Sequence, residues 1–156
     1  MRSHAFRVFS LALVAAAWGS LQAQAKPNFS GTWKLNPRKS DFGAMPAPNS
    51  RTDRITQQGS ELEDSYRQSG QMGEFTADMK YSTDGRETTS KIGGNEVKCT
   101  AKWEGDELVV GGKTSLNGAT LADRWSLSAD GKTLTIRRHV NSPMGVTDQK
   151  IVLEKQ

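Results

Sequence analysis

Glu96-Val97-Lys98-Cys99-Thr100-Ala101-Lys102-Trp103 alternates apolar and polar residues and then breaks at Glu104-Gly105-Asp106 before Glu107 resumes. Side chains of an extended chain point alternately to its two faces. Val97, Cys99, Ala101 and Trp103 therefore share one face, and Glu96, Lys98, Thr100 and Lys102 share the other. That is the pattern of a strand with one buried and one wet face, followed by a tight glycine turn.

The same reading extends in both directions. Phe75, Ala77, Met79 and Tyr81 oppose Glu74, Thr76, Asp78 and Lys80. Leu121, Trp125 and Leu127 oppose Ala122, Arg124, Ser126 and Ser128. Turn signals recur at Gln58-Gly59-Ser60, Ser69-Gly70, Asp84-Gly85, Gly93-Gly94-Asn95, Asn117-Gly118, Asp130-Gly131 and Ser142-Pro143, the residues that supply tight hairpin geometry. Ten strands are expected, over 29–35, 51–58, 61–67, 74–81, 86–92, 96–103, 107–112, 120–127, 132–140 and 146–154. No segment carries a long 3.6-residue apolar period. An open meander of this length would leave two exposed edges, which closure removes. The fold class is therefore all-β, a single closed or nearly closed antiparallel up-and-down barrel of about ten strands. Ten strands also leave more interior room than eight. The long irregular stretch 36–50, with three prolines, reads either as holding a helical turn or as covering one barrel end.

The first 25 residues read differently. Arg2, His4 and Arg7 precede an almost wholly apolar run, Val8 to Trp18, and Ala23-Gln24-Ala25 places small residues at a cleavage site. This is a secretory signal pattern, and the run is too short for a membrane span of ~20 residues. The domains are thus 1–25, a signal peptide, and 26–156, the barrel. The product is expected in the periplasm or outside the cell, acting as a monomer. Losing Arg2 and Arg7 lowers the formal net charge from +4 to +2. The remaining charges are interspersed, unlike the one-sided basic face of a nucleic-acid binder, so no nucleic-acid partner is expected. One cysteine excludes an internal disulfide, and one histidine after the signal argues against a histidine-based zinc site. No metal or cofactor is expected. Cys99 reads as a small buried apolar residue.

Phe29-Ser30-Gly31-Thr32-Trp33-Lys34-Leu35 opens the first strand. A Gly-x-Trp there resembles the calycin barrels, the lipocalins and fatty-acid-binding proteins, as does Lys102-Trp103-Glu104-Gly105-Asp106-Glu107. The likeness to small exported bacterial lipocalin-like domains implies that Trp33 plugs one barrel end beside Gly31, with a late arginine, Arg137 or Arg138, packed across it. Two features depart from the fatty-acid binders. Their last-strand Arg-x-Tyr pair is replaced by Ile151-Val152-Leu153, and Pro37, Pro46 and Pro48 disfavour a helical lid.

The candidate ligand-binding residues are those on expected inward faces: Tyr66, Phe75, Met79, Trp103, Trp125 and Arg138. The aromatic and apolar members are equally readable as pocket wall or plain core. Arg138 either grips an anion, partners Trp33, or sits at the rim with its stem buried. Asp123 and Asp64 share parity with apolar neighbours and could orient a ligand or lie near strand ends. His139 is read as solvated, as is the carboxylate cluster Glu61, Glu63 and Asp64. The expected function is non-catalytic binding of a small, mostly apolar molecule inside the barrel. Two other readings are kept. One is an interaction or protease-inhibitor-like module using the 36–50 loop, with Phe42 and Met45 projecting. The other is an enzyme on the same scaffold.

Overall fold

A computed structural model of the chain describes residues 24–156. The expected signal peptide lies outside the described residues except for Gln24 and Ala25. Ten strands follow in order: β1 (Gly31–Leu35), β2 (Ser50–Gln58), β3 (Glu61–Gly70), β4 (Gly73–Ser82), β5 (Thr88–Ile92), β6 (Asn95–Glu104), β7 (Glu107–Thr114), β8 (Thr120–Leu127), β9 (Thr133–Ser142) and β10 (Gly145–Lys155). Each pairs antiparallel with its sequence neighbour, and β1 pairs with β10, so the sheet closes into a barrel. No helix occurs among the described residues. The weakest seam is β4–β5, where only Ala77↔Ile92 and Asp78↔Lys91 are in register.

Closure depends on a short first strand. β1 meets β10 only from Trp33↔Lys155 to Leu35↔Leu153. The following loop continues the edge: Asn36 N–H donates to Val152 O, and Asp41 and Lys150 exchange backbone hydrogen bonds of 2.7 Å. The Val152 N–H donates to Ser40 Oγ at 2.9 Å. At Gly43 (φ +59°) a Cβ would meet the Asp148 carbonyl oxygen at 2.6 Å, so only glycine lets the loop lie this close to β10. The loop is thus strapped across the end of the barrel where the β3–β4, β5–β6, β7–β8 and β9–β10 turns emerge. Phe42 is buried beneath it instead of projecting, and Met45 remains exposed.

The opposite end is packed. Trp33 is fully buried and donates its indole N–H to Phe29 O at 2.8 Å. Phe29 stacks on Trp103 at 5.8 Å and meets Trp125 edge-on at 5.7 Å. Tyr81 closes edge-on against the other side of Trp125 at 5.8 Å. The cation over Trp33 is Lys155, with Nζ 5.3 Å from the ring centroid. This corrects the expected arginine. Lys155 lies directly opposite Trp33 in the β1–β10 register, whereas Arg137 points outward near Glu107 and Arg138 is engaged inside the barrel. Gly31 has φ +143°, and a Cβ there would fall 2.7 Å from Lys155 Cε. The glycine of the Gly-x-Trp motif thus makes room for the lysine stem that reaches Trp33.

Trp33→Ala should lower the unfolding free energy in urea by ~3–5 kcal/mol, as for other buried aromatic truncations. Lys155→Met, which keeps the stem and removes an exposed cation, should cost under ~1 kcal/mol. A Trp33→Ala loss below ~1 kcal/mol would show that the plug is not structural.

Candidate functional site

Strand periodicity places charge inside this barrel. On β2, Arg51 and Asp53 are two residues apart and share the inward face with Ile55. The Arg51 Nε donates to Asp53 Oδ1 at 2.8 Å and its Nη2 to Asp53 Oδ2 at 2.6 Å. The pair is almost wholly buried, at 2% and 0% side-chain exposure. The Arg51 guanidinium also lies over the Tyr66 ring, 3.8 Å from its centroid. A second fork forms across strands. Asp123 and Arg138 are register partners of β8 and β9. Arg138 Nε and Nη2 donate to Asp123 Oδ1 and Oδ2 at 2.8 and 2.7 Å, and the Trp125 indole N–H reaches Oδ2 at 3.4 Å. Burial works against both guanidinium charges, yet the facing carboxylates outweigh it and hold both arginines more firmly protonated than usual.

Asp64 is the unpaired member. It is 1% exposed, and its Oδ1 has no hydrogen-bond partner. Burial, and then the negative charge of Asp53, push its carboxyl well above the ordinary aspartate range, against the opposing pull of Arg51 and Arg138. Burial likewise pushes up the Tyr81 hydroxyl, with Asp123 adding to it. Burial also raises the free Cys99 thiol.

Above this charged layer, beneath the 36–50 loop, lies a cavity of about 300 Å³. Its wall includes Phe42, Pro48, Tyr66, Phe75, Ile92, Val140 and Ile151, with Gln68, Gln149, Arg51 and Arg138 as polar members. Tyr66 and Phe75 meet edge-on at 6.1 Å. Of the residues expected to face a ligand, Tyr66, Phe75 and Arg138 line this cavity. Met79, Trp103 and Trp125 do not line it, and Trp103 and Trp125 form part of the packed floor. Asp123 and Asp64 point inward, and Asp64 is buried instead of solvated with Glu61 and Glu63, because it shares the inward face of β3 with Leu62 and Tyr66. Glu61 and Glu63 face outward, against Arg86 and Lys80. His139 is exposed and pairs with Asp148 at 2.7 Å on the outer surface.

Arg51 and Asp53 are the interior residues that sequence reasoning missed. The available signal was their shared parity with Ile55, the sole large apolar residue of β2.

No protein-family model matches the chain, and no curated protein matches it in sequence. Several solved structures share its fold. A secretory abundant heat soluble protein of Ramazzottius varieornatus superimposes with TM-score 0.63 at 17% identity, covering 82% of this chain and 95% of that one. Zebrafish ileal bile-acid-binding protein, crystallised with cholic acid, gives 0.56 at 15% identity, covering 82% and 98%. The fatty-acid-binding protein of Manduca sexta gives 0.51 at 16%, covering 80% and 98%. At these identities the likeness is one of fold: the chain shares the ten-stranded antiparallel barrel of these structures.

Two measurements test the charged layer. Asp123→Ala strands a buried guanidinium and should cost ~3–5 kcal/mol, whereas Asp123→Leu with Arg138→Met removes both charges and should cost far less. Equal losses would show that packing, not charge pairing, matters there. The second test concerns pH. Unfolding returns Asp64 to an ordinary carboxyl that ionises near ~3.9. Above that pH the unfolded chain has lost a proton that the fold retains, so this group makes stability fall as pH rises, by up to ~1.4 kcal/mol per unit, until the folded carboxyl itself ionises. Asp64→Asn removes that fall, so its stability relative to the parent should grow between pH 4 and 7. Parallel curves would mean that Asp64 is ionised in the fold.

Proposed function

We propose that this chain is an exported, non-catalytic binding protein that holds a small, mostly apolar molecule in the cavity beneath the 36–50 loop. The observation that carries the reading is the cavity itself: about 300 Å³ at the loop end of a closed barrel, with a mainly apolar wall. That lies at the small end of ordinary ligand sites, which are concave and apolar with few polar groups. Burial of the ligand's apolar surface drives binding at ~25 cal/mol per Å², less the costs of association. Export rests on the signal pattern of residues 1–25. The non-catalytic reading is supported by the way the interior charges engage one another. Both oxygens of Asp53 and of Asp123 are taken up by arginines, and neither Asp53 nor Asp64 lines the cavity. The structural neighbours crystallised with cholic acid or named for fatty-acid binding support the same reading by analogy of fold.

A second reading, a protein-interaction module, draws on the exposed apolar tips at the same end. Met72 and Met144 are 79% and 89% exposed, with Leu116, Val146 and Met45 on neighbouring turns and the loop.

The uncharged dye Nile red should bind the parent protein with a rise in emission. Val140→Trp, which fills the cavity from β9, should abolish the rise while leaving the urea midpoint near its parent value. No binding by the parent, or undiminished binding by the filled variant, rejects the cavity as the site. A biological activity that survives Val140→Trp would favour the interaction surface.

A further inference from the structure

The charged side chains on the cavity wall are Arg51 and Arg138. A lone arginine inside a barrel would invite an anion, but neither of these is alone. Each spends Nε and Nη2 on both oxygens of one aspartate, Asp53 or Asp123. Among the described residues, only Nη1 of each is left without a protein acceptor. The interior sum follows from three aspartates and two arginines: zero if Asp64 carries a proton, and −1 if it does not. In neither state is a positive charge free. An incoming carboxylate would leave water for a site that already holds its full complement of negative charge, and an uncompensated buried charge is costly. An uncharged oxygen faces no such cost, and it still finds guanidinium N–H donors.

We propose that the cavity selects an uncharged amphiphile, whose hydroxyl, ester or ketone oxygen accepts hydrogen bonds from Nη1 of Arg51 or Arg138, over the carboxylate of the same chain length. This rests on the ligand-binding reading above and names the ligand's chemical class. Selection works by the absence of a free cation and not by a clash, so it should yield when one fork aspartate is uncharged and Asp64 is kept from replacing its charge.

The test is displacement of Nile red at pH 8 by decan-1-ol and by decanoate. The alcohol should displace the dye at a concentration at least tenfold lower. Asp123→Asn, made together with Asp64→Asn so that Asp64 cannot ionise in its place, keeps the shape and releases the Arg138 charge. It should shift the preference toward decanoate by at least tenfold. If that variant does not fold, Asp53→Asn with Asp64→Asn makes the same test at Arg51. Equal or stronger displacement by decanoate from the parent overturns the inference, as does unchanged selectivity in a folded variant, and either result leaves the ligand-binding reading standing. Failure of the parent to bind Nile red or either decyl compound removes both.

Discussion

The two arginine–aspartate forks inside the barrel are the constraint around which the rest is arranged. A guanidinium can be taken from water into a protein interior only with its charge matched and its donors occupied. Here the match is supplied twice, by period-two spacing on β2 and by cross-strand register between β8 and β9. Each fork fixes one arginine side chain in place, and together they divide the interior into an apolar floor below and a cavity above. Asp64 is the remainder of that arithmetic. With two arginines already committed, a third buried carboxyl is driven toward its neutral form.

The floor and the loop follow from the same division. The indole of Trp125 touches the Asp123 fork on one side and the Phe29 and Tyr81 rings on the others, so the aromatic plug and the ionic layer are continuous. With that end filled, space remains only toward the loop end. There β1 stops after five residues, and the 36–50 segment takes over as the edge partner of β10. A chain that ended β1 later would have less reason to fold this segment across the barrel end. The bonds at Asn36, Ser40 and Asp41 and the buried Phe42 hold it down, and Gly43 lets it lie close.

Much of this was legible in the sequence because alternation and turn chemistry are local. The ten strands form within three residues of where those signals place them, and the inward parity of Arg138 and Asp123 follows from their apolar neighbours. Other features depend on distances that no local pattern encodes. β2 offers Ile55 as its one large apolar residue, so a single side chain marks the inward face, too little to reveal the Arg51–Asp53 fork. Parity assigns a face but not a depth along the barrel axis, which depends on strand tilt and stagger. Tyr66 and Phe75 therefore reach the cavity while Trp103 and Trp125, of equal apolar character, sit in the floor. Lys155 over Trp33 was missed because it lies one residue beyond the expected end of the last strand, and the family resemblance pointed to an arginine.

The central claim is that a charge-closed interior leaves a cavity suited to an uncharged, mostly apolar molecule. Native mass spectrometry of the protein purified from the cells that make it tests this most directly. The claim predicts a noncovalent mass that dissociates into organic solvent and carries no ionisable acid. A bare chain mass, or a bound carboxylate, would contradict it.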